Sequence, residues 1–307
     1  MRESLSSKPA PPSNPVEGIV WMVLSGLSFV AVNGTVHYLG TGLPAPQTAF
    51  IRFVYGLVFL APALWAALRR GLPAGSFRLI GLRGAFHTIA VILWFYAMAR
   101  IPIADVTAIG YLSPIVVTAG AALVLGEPLA RRRITAIAVA LVGALVVLRP
   151  GLRELAPGHL AQVGAAVSFG LSYIVAKRLA SVLPASALVA LLSLTVTLGL
   201  APLAFWVWVT PTVHQVLLLG IVAFFATAGH YCMARAFAAA PASMTQPVVF
   251  LQLVWATLLG WFAFGEKVDP YVIFGGAIII AAISYMSWRE AQIARVGATP
   301  APDADKL

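Results

Sequence analysis

Ten stretches of roughly 20 residues run along this chain with few or no charges, the length an α-helix needs to cross a hydrocarbon core about 30 Å thick. They lie at about 18–38, 47–68, 79–99, 105–126, 133–149, 159–176, 185–209, 213–235, 243–264 and 270–288. The fifth is the shortest, with an uninterrupted apolar core from Ile134 to Leu148 that Arg133 and Arg149 extend by snorkelling. Of all residues, 61% are apolar and only 10% charged, against about 25% charged in a soluble domain. So few charges cannot cover a water-facing surface. The expected fold is an all-α integral membrane protein of ten transmembrane helices, with the bilayer as its partner.

Residues 1–17 and the end of the chain (289–307) are rich in Pro, Ser, Ala and polar residues and read as tails. The first apolar run is too long, and lacks the following small-residue signature, for a cleaved signal peptide. Lys and Arg set the orientation, because short cytoplasmic loops retain them. With the N-terminus inside, the inner segments carry fourteen, including Arg69, Arg70 and Arg131 to Arg133. The outer loops carry four: Arg100, Arg149, Arg153 and Lys267. Both termini are therefore expected in the cytoplasm, in the inner (plasma) membrane. The basic residues form no stripe, so the net charge of +10 reflects topology and not nucleic-acid binding.

The two halves repeat one another. Ser28-Phe29 recurs as Ser168-Phe169, and Leu60-Ala61-Pro62 as Leu200-Ala201-Pro202. Tyr96-Ala97-Met98-Ala99-Arg100 recurs as Tyr231-Cys232-Met233-Ala234-Arg235, and Gly126-Glu127 as Gly265-Glu266. The expected units are 18–149 and 159–288, joined by a linker at 150–158. Five spans per unit is an odd number, so the second copy enters the membrane from the opposite face. Two inverted five-helix repeats of this kind are characteristic of secondary transporters.

The stretches WFYAMARIPIADVTAIGYLSPIVVTAGAALVLGEPLARRR and HYCMARAFAAAPASMTQPVVFLQLVWATLLGWFAFGEKVDP carry a resemblance to the drug/metabolite transporter superfamily, in its ten-helix branch with two EamA-type repeats. The resemblance covers about residues 18 to 288. It implies movement of small metabolites without ATP hydrolysis and a proline near the middle of the fourth helix, a position Pro114 fills. The repeat-aligned position in the ninth helix is Leu253, and the nearest proline is Pro247. Family substrates include amino acids and their derivatives, methyl-donor nucleosides, vitamins such as riboflavin, and toxic cations.

Several residues are candidates for the transport path. His87 lies roughly 13 Å from the inner end of its span, where an ionisable group usually meets a cavity or a partner, and Arg83, His87 and Trp94 share one helical face. Arg52 sits inside the second span and could hold a substrate carboxylate. Asn33, Tyr173, His230, Gln246, Gln252 and Trp255 complete a flat, polar and aromatic set. For any one of these the competing role is a hydrogen bond between neighbouring helices.

Glu127 and Glu266 precede helices and are expected to accept N–H groups of the helix that follows, with proton coupling as the alternative. Asp105 is expected to cap the fourth helix or to pair with Arg100. One cysteine, Cys232, excludes an intrachain disulfide and a multi-thiolate metal site. The sequence contains no phosphate loop, zinc pair or nucleophile elbow, so no enzyme, cofactor or metal is expected. The expected function is secondary transport of an amino-acid-like metabolite, with export favoured. Uptake of riboflavin or an S-adenosylmethionine-like compound is the alternative, and a membrane enzyme or scramblase is a remoter one. A coupling proton and a homodimer are compatible with the sequence, which specifies neither.

Overall fold

The computed structural model describes residues 15–73, 75–125, 131–152, 154–179, 182–239, 248–249 and 251–297. Glu127 and Gln246 lie outside the described residues, as do Pro247 and most of both tails. Among the described residues every regular element is helical. The helices are α1 (Pro15–Leu39), α2 (Ala45–Phe59), α3 (Ala61–Arg70), α4 (Ser76–Met98), α5 (Ile103–Gly110) and α6 (Ser113–Leu125). They continue with α7 (Arg131–Leu148), α8 (Pro157–Leu179), α9 (Ala185–Trp206), α10 (Val213–Ala239), α11 (Leu251–Phe264) and α12 (Pro270–Gly297).

Five of these, α1, α4, α8, α9 and α10, are each long and apolar enough to cross a membrane. The others are shorter or broken. The second apolar run is not one helix: α2 and α3 meet at Leu60 with a bend of 69°. Pro62 stands in the first turn of α3, where its missing N–H costs nothing, whereas it cannot continue the ladder of α2. Its repeat counterpart Pro202 stays inside α9 near the helix end. The fourth run is also divided, at Tyr111 and Leu112, immediately before Pro114 in the first turn of α6. The last helix runs nine residues past the expected start of the C-terminal tail at 289.

The helices interleave. α1 packs against α10 and α4 against α8; α1 meets α11 and α8 meets α6; α2 touches α10 and α9 touches α4. α2 also packs on α9, and α7 on α12. Exchanging each helix for its repeat counterpart maps this pattern onto itself, and each of these contacts joins one half to the other. The α7–α12 contact is backbone-close: a Cβ on Gly143 would lie 2.7 Å from the Gly275 carbonyl oxygen, and one on Gly275 2.6 Å from that of Gly143. Small residues permit such an approach in lipid, where dispersion replaces the hydrophobic effect. The main buried cluster includes Val32, Phe53, Phe95, Ile109, Leu200, Leu253 and Ile279, drawn from both halves.

Candidate functional site

Three helices converge on His87. Its Nδ1 lies 3.2 Å from the Ser172 hydroxyl on α8, and that hydroxyl donates to the Arg83 carbonyl at 3.4 Å. The hydroxyl has one proton, so Nδ1 carries the proton of the His87–Ser172 bond, leaving Nε2 as an acceptor. Aromatic edges enclose the imidazole: Phe169 at 5.0 Å and Phe53 at 6.3 Å between centroids. Phe169 also meets Trp94 edge-on at 5.9 Å and stacks on Tyr173 at 6.1 Å. Arg83, His87 and Trp94 therefore all approach α8.

Two guanidinium groups and a second imidazole act on the same place. Arg52 lies 4.1 Å over the Phe53 ring, which faces His87, and Arg83 stands one turn before His87 on α4. His230 donates from Nδ1 to the Ala226 carbonyl at 2.7 Å and packs edge-on against Phe29 at 5.1 Å. Arg83 donates to the Leu188 carbonyl at 2.9 Å, at the rim toward Leu179, Leu183 and Leu191. Asn33, on α1, is buried and its Oδ1 has no hydrogen-bond partner among the described residues; the same holds for the Trp255 indole N–H on α11. Gln252 lies on α11 opposite Gly26 of α1.

The carboxylates gather elsewhere, at one end of the bundle. Glu266 does not cap the helix that follows it: its two oxygens accept the Ile103 N–H, at 3.3 and 3.2 Å, at the start of α5. Gly265, at φ 65°, turns the chain back so that the Glu266 N–H reaches the Gly260 carbonyl. Glycine at 260 leaves room for the carboxylate, because a Cβ there would overlap Oε2. The capping role expected of Glu266 falls to Asp269, which accepts the Tyr271 N–H at 2.9 Å.

Asp105 has a partner that the sequence did not name. It pairs with His159 of α8 at 2.9 Å, while Arg100 turns back onto the carbonyl and ring of Tyr96. Beside them Glu266 meets His37 at 3.3 Å, and Arg149 pairs with Asp269. A pocket of about 450 Å³ opens here, lined among others by Asp105, Arg149, Glu266 and Asp269. At the far end, Glu17 pairs with Arg235 at 3.3 Å and accepts the Trp21 indole N–H.

The sequence profile of the EamA-like transporter family matches residues 16–149 and again 156–288. The chain belongs to the EamA-like transporter family.

Among relatives of this EamA-like transporter, a riboflavin transporter of Vibrio cholerae is 30% identical over 92% of this chain and 96% of its own. An S-adenosylmethionine uptake transporter of Rickettsia prowazekii is 26% identical over 90% and 94%. A pseudopaline exporter of Pseudomonas aeruginosa is 27% identical over 88% and 95%. A crystallographically determined chain of 20% identity superposes with a TM-score of 0.56, covering 92% of this chain and 98% of that one, and shows the shared fold.

The transporter's multi-pass, all-helical membrane character thus stands on both composition and kinship. Sequence reasoning overlooked Phe53, Phe169, His37, His159 and Arg149. The two phenylalanines look like ordinary core residues. The histidines carried a usable signal, since each falls at a span end on the side where Asp105 and Glu266 also fall.

Proposed function

We propose that this transporter moves a flat, polar heteroaromatic metabolite of the riboflavin class across the inner membrane by alternating access between two inverted five-helix halves. The carrying observation is the chemistry around His87: rings of Phe53, Phe169, Trp94 and Tyr173, two imidazoles and the guanidinium groups of Arg52 and Arg83, while Glu17, Asp105, Glu266 and Asp269 are engaged in ion pairs elsewhere. Aromatic edges favour a planar ring, and guanidinium groups favour carbonyl, carboxylate or phosphate oxygens. A sulfonium such as S-adenosylmethionine would meet cations without a neutralising acid, which disfavours it. The kinship to a riboflavin transporter supports the same choice.

Ten crossings with both termini cytoplasmic belong to this reading, and the apolar runs and the Lys and Arg count support them. Inversion is supported by the ends: His37 near the end of α1 lies in the same cluster as His159 at the start of α8. Likewise Arg149, after α7, meets Asp269, before α12. Both juxtapositions are those expected when helix counterparts run in opposite directions.

Arg52 and Arg83 also suit the carboxylates of an amino-acid-like substrate, the second reading. A thermal-shift comparison of the purified transporter separates them. Riboflavin at about 100 times its dissociation constant should add about 2.7 kcal/mol to stability, with no shift from S-adenosylmethionine. Protection by amino acids but not riboflavin would replace the proposal with the second reading.

A further inference from the structure

Three ion pairs bridge the helices at one end of the bundle, and each crosses from one half to the other. They are His37 to Glu266, His159 to Asp105, and Arg149 to Asp269. The first two are special because of what lies on the other side of each imidazole. His37 Nδ1 is 2.8 Å from the Met98 carbonyl oxygen, and His159 Nδ1 is 3.3 Å from that of Ala156. A carbonyl has no proton to give, so in both rings Nδ1 must carry hydrogen.

A neutral imidazole then presents a bare lone pair at Nε2, facing a carboxylate oxygen at 3.3 Å in one pair and 2.9 Å in the other. Two lone pairs at that distance repel. Each contact is attractive only with one further proton, either on Nε2, giving imidazolium and carboxylate, or on the acid, giving two neutral partners. The geometry therefore contains two proton seats, each between the halves. The seats sense one another, since the Asp105 charge reaches Glu266.

Resting on the rocking of two halves, we infer that His37–Glu266 and His159–Asp105 are the proton-binding latch of this transporter: occupied seats hold the halves together around the 450 Å³ pocket, and loss of their protons lets the halves part and widens it. Burial holds the Glu266 carboxyl above its ordinary value, against the opposing pull of His37 and the Ile103 N–H. Among the described residues, the groups that bear on the local charge include His37 and Asp105 themselves, Arg100 between α4 and α5, Arg149 after α7, and His159 on α8. Lys267, Asp269 and Tyr271 add to them before and on α12, and His214, against Tyr38, on α10. The Arg149–Asp269 pair contains no imidazole and serves as the hinge contact between the halves.

The sign follows directly. A seat that exists only where the halves meet takes up its proton as this end closes and releases it as the end opens, so a higher proton concentration favours the closed end. The latch consequently closes in acid and opens in alkali, so substrate movement is linked to a proton gradient.

The test uses the full chain in liposomes, with Cys232 replaced by alanine and Ala104, which lines the pocket, replaced by cysteine. Labelling by a membrane-impermeant maleimide, normalised to the pH dependence of the reagent on a fully exposed site, should rise several-fold between about pH 5 and about pH 8. His37→Gln with His159→Gln should flatten this profile. In the same proteoliposomes, each single glutamine variant should retain part of it, and riboflavin should still change labelling in the double variant. Labelling that responds to riboflavin but not to pH overturns the latch and leaves the rocking halves standing. Labelling that responds to neither overturns the rocking itself. A pH profile unchanged in the double variant assigns the proton elsewhere and also overturns the latch.

Discussion

Gly260 shows how much one hydrogen atom in place of a methyl group can decide. Its Cα faces the Glu266 carboxylate so closely that a Cβ would overlap Oε2, and the acid sits between α11 and the start of α5 only because that space is empty. Gly260→Ala should push the carboxylate off the Ile103 N–H and leave a buried acceptor poorly paired, costing about 1–3 kcal/mol. Thermal unfolding of the variant beside the wild type in detergent checks this. At the central site, His87→Ala removes an edge contact to Phe169 and should weaken substrate binding by about 0.5–1.5 kcal/mol, up to roughly tenfold. It should leave the pH-dependent labelling of the distant latch intact, a separation that isothermal titration and maleimide labelling read independently. Had His87 been the proton-sensitive group, the same variant would flatten the pH profile.

Among the elements, the apolar runs located nearly every helix, because length and hydropathy are enough where lipid is the solvent. They could not show the 69° bend at Leu60, since Pro62 and Pro202 occupy matched sites and only tertiary packing makes the first break and the second tolerated. The α5–α6 break, just before Pro114, likewise fell within a run read as a single span. Glu266 was correctly placed at a helix end, yet its partner is α5 of the other half, and no local pattern names a helix 163 residues away. Arg52, Arg83, His87 and Trp94 were visible as costly or large residues inside spans; the rings that enclose them were not, because Phe53 and Phe169 are indistinguishable from core in sequence. The α7–α12 contact gives an element-scale prediction. Gly143→Val and Gly275→Val each drive a side chain into the opposing backbone, and each should cost more than about 1–3 kcal/mol of overpacking. Fluorescence-detected size exclusion should show loss of the folded peak. Gly56→Ala on α2, where an added methyl group would meet nothing within 4 Å, should retain it.

For the whole molecule, interleaving is the fact that matters. Because α1 packs on α10 and α4 on α8, neither half buries its apolar faces alone, and in the proposed cycle one set of helices tilts against the other about the aromatic and cationic centre. On this reading the two histidine–carboxylate pairs at one end and the more exposed Glu17–Arg235 pair at the other alternate, while Arg149–Asp269 stays made. All of this requires the second half to lie upside down relative to the first. Single cysteines at Leu129 and Val268, in the turns after Glu127 and Glu266 and in a Cys232→Ala background, measure it in intact cells with an impermeant maleimide. The two inverted halves predict labelling of the Val268 site from outside and of the Leu129 site only after permeabilisation; labelling of both from the same side would contradict them.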